Sequence, residues 1–590
     1  MDECCMRSGD TSATLCNPGY FVIKRVRSCL ISFAWSSFVT LNREIQMNAI
    51  DSDPVDFGDV NQQLNGSSIN SLSFNNDCAS FQKYISTIFD PTYQEFKEVK
   101  CGDCYIFNYQ IFERNSPRPE SEKDAERLEH DFKELNFDVY KFENLSKSET
   151  VTVLEAVSKR DHSQKRYFVC CILTHGDQEK LCMRDKSIDV IDIFNHFTRL
   201  SCPSLSGKPK IFIIQACRGL KYETEVSANY ADCFSIEGSQ DYLDFLIVNS
   251  TYYGTVSFKS SDEEHAVYRG SFFIDELCRS LEQFSGELEL LQILTIVNYR
   301  VSHLFVSRSR EKEKNRKKQM PCFTSRLRSE IKFNKTITPF VSPETRYFDQ
   351  RRKKSRLGLE STENPLFDLK WYQLQNPEGI LFLSISNRNI DQRLEMAAST
   401  LWSYFADRKY SRKAPQKCRF KRSEIMKFLN QNQNPSETNC LICFIGGFSR
   451  NGRILDAEER KISKENIIKT CESLTGKPKI FIYLLYELSG EETVSTDGRH
   501  NTNIIPYHAD ILEICITITE WKQAVGAMKT FCQILEHNSS EDFVNLMAKL
   551  NRELVEKHNF FEVPENQAND KYNRSTFVVT STLTRSLFLP

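Results

Sequence analysis

The chain has 590 residues, 40% of them hydrophobic, and a formal net charge of −2. That length holds two to four domains, and the near-neutral balance gives no electrostatic ground for a nucleic-acid or membrane-surface partner. Its 21 cysteines would suit a disulfide framework in a short secreted chain, but here they are spread unevenly through apolar runs (Cys170, Cys171, Cys443, Cys515) and read as reduced core thiols of a cytoplasmic protein.

Residues 1–92 carry turn-forming clusters (Asn17-Pro18-Gly19, Ser52-Asp53-Pro54, Asn65-Gly66-Ser67-Ser68) and no sustained helical period. The apolar stretch from Cys29 to Leu41 is shorter than the roughly 20 residues a membrane span needs. It also begins too far from the start for an ordinary signal peptide. A flexible prodomain is expected there, with no targeting segment.

From Cys104 strands and helices alternate. Tyr105-Ile106-Phe107 is a short strand, and Ala125, Leu128, Phe132 and Leu135 recur three or four apart on one helix face. A helix around Val151 to Val157, a strand from Phe168 to Leu173, a helix from Val190 to Leu200 and a strand from Lys210 to Ile214 follow. Near-continuous apolar strands alternating with helices predict an α/β fold, a mostly parallel sheet covered on both faces. In such sheets the working site lies at the carboxyl ends of the strands. Two chemically loaded segments fall there: His175-Gly176 after one strand and Gln215-Ala216-Cys217-Arg218-Gly219 after the next, with histidine and cysteine 42 positions apart.

The chemistry of that pair is acyl transfer. A free thiol with a pKa of about 8.5 is mostly protonated at neutral pH, and a neighbouring imidazole can take its proton and return it to a leaving amine. The amides of Gly176 and Cys217 would stabilise the oxyanion, glycine allowing its bare backbone a close approach.

The pentapeptide Gln215 to Gly219 and its upstream histidine resemble the signature of the caspase family. The resemblance extends over residues 93–334. It implies a caspase-like, mostly parallel six-stranded sheet, with a large subunit over about 93–232 and a small subunit over about 242–334. Arg118 and Gln215 match the pocket that receives a substrate aspartate. Ser257 and Lys259 fall on the substrate loop, Lys259 where an arginine is usual. An ammonium offers one compact charge where a guanidinium offers a planar fork, so a weaker grip on aspartate is expected. Asp232 and Asp241 stand as cleavage sites between the subunits.

Residues 335–369 form a linker whose run Arg351-Arg352-Lys353-Lys354-Ser355-Arg356 reads as solvated charge. Beyond it the chain repeats itself. Leu205-Ser206-Gly207-Lys208-Pro209-Lys210-Ile211-Phe212-Ile213 recurs as Leu474-Thr475-Gly476-Lys477-Pro478-Lys479-Ile480-Phe481-Ile482. Residues 370–590 are therefore expected to form the same fold in tandem without its chemistry, Gly447 standing for His175 and Tyr486 for Cys217.

The expected function is a cysteine endopeptidase cutting after aspartate, with a fused inactive caspase-like domain, in apoptosis or related proteolytic signalling. A catalytically weak scaffold that tunes other caspases is the alternative. Expected partners are protein substrates with a P1 aspartate, other caspases or adaptor proteins. Between the two halves an intramolecular pseudo-dimer is expected through Cys322 to Ser325 and Phe577 to Thr580. No metal or organic cofactor is implied.

Overall fold

The structure, a computed structural model, describes residues from 100 to 333 and from 372 to 589 with internal gaps, the longest at 228–241, 489–500 and 561–574. The expected prodomain, the basic linker and the cleavage sites Asp232 and Asp241 lie outside the described residues.

In the first half, apolar runs rich in Val, Ile and Phe form β1 (Gly102–Asn108), β2 (Phe137–Glu143), β3 (Tyr167–Leu173), β4 (Lys210–Gln215), β5 (Phe245–Asn249) and β6 (Cys322–Ser325). Their order is β2-β1-β3-β4-β5-β6. All neighbours are parallel except β6, which runs antiparallel to β5.

Helices cover both faces, which is why these strands are buried on both sides. On one face lie α1 (Ser121–Glu134), α4 (Phe272–Phe284) and α5 (Leu290–Leu304). Their Leu128, Phe132, Leu277 and Leu294 pack in one core with Ile106 and Val169. On the other lie α2 (Lys147–Lys159) and α3 (Val190–Asn195), whose Leu154 and Phe194 pack with Phe168 and Phe212. α2 starts at a reciprocal cap, Ser146 accepting from the Glu149 amide while the Glu149 carboxylate accepts from the Ser146 amide.

The second half supplies β7 (Ile380–Ile385), β8 (Gln416–Cys418), β9 (Leu441–Arg450), β10 (Lys479–Glu487), β11 (Ile511–Ile518) and β12 (Thr576–Ser581). They are ordered β8-β7-β9-β10-β11-β12, again parallel up to a final antiparallel strand.

The expectation of two mostly parallel six-stranded sheets needs correcting. Among the described residues these twelve strands, with the short Arg453–Leu455 and Lys461–Ile462 added beside β9, form a single mixed sheet of fourteen strands that runs through both halves. β6 pairs antiparallel with β12, Phe323 opposite Ser581, Thr324 opposite Thr580 and Ser325 opposite Val579. The reason is the edge: a last strand with one bonded side leaves a row of open N–H and C=O groups, and two such edges satisfy each other. The Thr324 and Thr580 hydroxyls meet at 3.2 Å across the join.

Two Cys-x-x-Cys spacings occur, at Cys101/Cys104 and Cys440/Cys443. Cys440 and Cys443 fall in cores on opposite faces of the sheet, as positions three apart along an extended chain must. Burial raises the Cys101 thiol to about 11, and it donates to the Leu135 carbonyl at 3.1 Å.

Candidate active site

β3 and β4 are parallel neighbours, paired from Phe168 and Lys210 to Leu173 and Gln215. The Thr174 amide continues the ladder, donating to the Gln215 carbonyl at 3.0 Å. The strands then part, and His175-Gly176 and Cys217 leave from adjacent ends. A methyl group at Gly176 would stand 3.0 Å from the Cys217 carbonyl oxygen and 2.9 Å from that of Lys180. Two backbones approach too closely there for a Cβ.

His175 is half-buried, its ring tilted against Phe112 with centroids 4.8 Å apart. Its Nε2 lies 2.9 Å from the Ser116 carbonyl. A carbonyl only accepts, so Nε2 carries the proton and Nδ1 is left as the basic nitrogen. The Cys217 thiol, also half-buried, is directed at the Ser257 carbonyl at 3.7 Å.

Gln215 is buried; its Nε2 donates to the Ser257 hydroxyl at 2.9 Å, while its Oε1 is buried with no hydrogen-bond partner among the described residues. Gln319 reaches the same hydroxyl at 3.3 Å and the Ser250 carbonyl at 2.6 Å. Arg118, only 2% exposed, donates to the Tyr109 carbonyl at 3.3 Å. Burial pushes its guanidinium below the usual arginine range, while Asp124, Glu120 and Cys217 pull it back. That thiol and that guanidinium are thus within electrostatic reach of each other. Lys259 opens a short strand, Lys259–Asp262, that pairs antiparallel with Val267–Ser271, and its partner is Ser271.

The fold therefore gathers His175, Gly176, Gln215, Cys217, Ser257 and Arg118 at one end of the sheet. Two participants escaped the sequence reading. The Ser116 carbonyl is a backbone atom that no residue type announces, although Pro117 after it biases Ser116 toward extended backbone. Gln319 lies three residues before β6 and is 62 positions from Ser257, so only the fold brings them together.

A family model described as the caspase domain matches residues 101–332. Caspase-3 of Mesocricetus auratus is 34% identical over 255 residues, which make up 42% of this chain and 88% of that protein. The chain belongs to the caspase family. Caspase-3 of Oryctolagus cuniculus is 35% identical over 259 residues, with 42% of this chain and 88% of the relative covered. Caspase-7 of Gallus gallus is 33% identical over 258 residues, with 42% and 82% covered. The matched caspase region holds every residue of the gathered site.

The corresponding end of the second half carries different groups. Phe168 faces Lys210 in the first half and Leu441 faces Lys479 in the second, so Lys210 and Lys479, which share the repeated Gly-Lys-Pro-Lys motif, fix the correspondence. Tyr486 then stands for Cys217, and its strand partner Phe448 stands for His175. Gly447, the residue expected from the sequence, is one position off. Phe448 and Tyr486 meet edge to face with centroids 6.0 Å apart. Ser449, in the place of Gly176, donates to Glu487 at 2.6 Å in a buried bond.

Proposed function

We propose that this chain is a cysteine endopeptidase that cuts peptide bonds after aspartate, and that residues 370–590 form a fused caspase-like domain without catalytic groups. The observation that carries the first part is the meeting of Gly176 with Cys217 at the adjacent ends of β3 and β4, with His175 held by Ser116.

In the reaction so read, His175 Nδ1 takes the proton of the Cys217 thiol and the thiolate attacks the scissile carbonyl carbon. The Gly176 and Cys217 amides hold the oxyanion. As the C–N bond breaks, His175 returns the proton to the leaving amine, and a thioester remains. Water then attacks the thioester, His175 again serving as base, and releases the carboxylic acid and the thiol. Arg118, Gln215 and the strand bearing Lys259 hold the P1 carboxylate, with Ser257 fixing the Gln215 amide. Maturation cuts at Asp232 and Asp241 belong to the same reading. So does a cytoplasmic setting in programmed cell death or related signalling.

The second part is supported by the identical strand order of the two halves and by the Phe448 and Tyr486 rings in the places of base and nucleophile. A tyrosine has an ordinary pKa near 10 and a phenylalanine accepts no proton. The β6–β12 join supports a pseudo-dimer within one chain. A second, smaller contact points the same way: Glu225–Ser227, which follows the nucleophile segment, pairs antiparallel with Asn501–Asn503 of the second half.

The test is turnover of fluorogenic peptides ending in aspartate, asparagine or arginine by the full chain and by Cys217→Ala. Cleavage after aspartate, lost in Cys217→Ala, is expected. Substantial cleavage remaining in that variant would overturn the mechanism, and binding of aspartyl peptides without turnover would favour the scaffold.

A further inference from the structure

Asp124 is buried in α1, only 3% exposed, and lies six residues after Arg118. Its Oδ1 accepts the backbone N–H of Ser271 at 2.8 Å, across 147 positions of chain. Its Oδ2 is buried with no hydrogen-bond partner among the described residues. Beside it Gly270 has a φ of +76°, and a Cβ there would collide with Asp124 Oδ1. The ladder between Lys259–Asp262 and Val267–Ser271 shifts register between Tyr268 and Ser271. A bulge with glycine in the left-handed region turns an N–H out of the hairpin, and here the Ser271 N–H is taken by Asp124. After the bulge Ser271 pairs with Lys259.

Asp124 is tied to Arg118 as well. The Arg118 carbonyl accepts from the Ser121 amide at 3.1 Å and the Ser121 hydroxyl at 2.8 Å, at the start of the helix that carries Asp124.

We infer that Asp124 is a positioning residue for the specificity pocket, holding the Lys259 strand through Ser271 in register with Arg118. This rests on the proposed reading of that pocket and adds to it the element that aligns the Lys259 strand with Arg118. Without Asp124 the hairpin keeps its own pairing but loses its buried attachment to α1. Substrate binding then suffers before chemistry does.

The experiment measures two quantities on the full chain. Binding of a labelled aspartyl peptide is followed by fluorescence anisotropy in the Cys217→Ala background, and kcat and KM are measured with Cys217 intact. Asp124→Ala, which leaves the buried Ser271 N–H unsatisfied, should weaken binding and raise KM about tenfold, with kcat within about threefold. It should also narrow the preference for aspartyl over glutamyl peptides. Asp124→Asn keeps an acceptor for Ser271 and should restore binding to within about twofold. Gly270→Ala, which pushes on Asp124 from the hairpin side, should reproduce the binding defect and serves if Asp124→Ala does not fold. Unchanged binding in Asp124→Ala or Gly270→Ala overturns the inference, as does a fall in kcat at unchanged KM or a failure of Asp124→Asn to restore binding. If the protein with Cys217 intact cleaves nothing, the enzymatic reading falls, and the anisotropy measurements still decide the role of Asp124.

Discussion

The Tyr252 hydroxyl donates to Glu513 at 3.4 Å in a buried contact between residues 261 positions apart. It joins the segment that follows β5 in the first half to β11 of the second half. The Tyr252 amide donates to the Met320 carbonyl at 2.7 Å, and the next residue back, Gln319, holds Ser250 and Ser257. A chain of bonded groups thus runs from Glu513 to the residue whose carbonyl faces the Cys217 thiol. Tyr252→Phe and Glu513→Ala should each lower kcat/KM for an aspartyl peptide by about two- to tenfold, the loss of one buried hydrogen bond. The double variant should lose no more than the worse single one. Additive losses in steady-state kinetics would show that the two residues act separately.

The lysine at position 259 gives a gain-of-function prediction. An arginine adds a second parallel hydrogen bond to a carboxylate, worth on the order of 1.5–3 kcal/mol when charge-assisted. Lys259→Arg is therefore expected to raise kcat/KM for aspartyl peptides about tenfold or more, and Arg118→Ala nearly to abolish it. An unchanged constant in Lys259→Arg would place the lysine outside the pocket.

Stability should fall as pH rises from 4 to 8. Burial lifts the carboxyl of Asp124 to about 7, those of Asp131 and Asp542 to about 6 and that of Glu289 to about 8, against about 4 in an unfolded chain. Across that window the folded state keeps protons that the unfolded chain releases, so each rise in pH favours unfolding. Each group contributes up to about 1.4 kcal/mol per pH unit within its own range. Burial lowers the Lys210 ammonium to about 8, which acts in the opposite sense above pH 8, where the folded state sheds its proton first. The thermal midpoint is expected to be higher at pH 6 than at pH 8, and Glu289→Gln should shrink the difference. A midpoint that is no lower at pH 8 would contradict the assignment.

Removing the second half exposes β6. A fragment of residues 100–333 should self-associate through Cys322–Ser325 and show activity that falls with dilution, while the full chain stays equally active per molecule at nanomolar concentration. Light scattering and turnover at matched concentrations check this. Equal dilution behaviour of fragment and full chain would count against a role for the β6–β12 join in activity.

The ends of β3 and β4 were legible because two independent patterns agreed there: apolar runs long enough for buried strands, and a histidine and a cysteine just past them. The Gln215–Ser257 bond was half legible, since both residues were named but their contact depends on a loop. Phe448 was not, because the repeat around Lys210 and Lys479 fixes one strand and leaves its neighbour free to slip by one, and only the β9–β10 ladder fixes it. Asp124 lies six residues after Arg118, and nothing in the sequence around it marks it. Its meaning comes from a backbone N–H donated by a glycine bulge far along the chain. The merging of two sheets into one has the same character: periodicity finds strands, but which edge meets which is settled by unsatisfied backbone groups.

The ladder between β4 and β5 separates two things that a cut chain usually loses together. A break anywhere in 228–241 ends covalent continuity between these strands, yet their pairing from Lys210 and Phe245 to Ile214 and Asn249 remains. β5 in turn stays bonded to β6, and β6 to β12. Such a molecule would show separate pieces on a denaturing gel and would be expected to travel as one particle in native solution. A cut there would be recorded in the polypeptide ends rather than in the size of the particle.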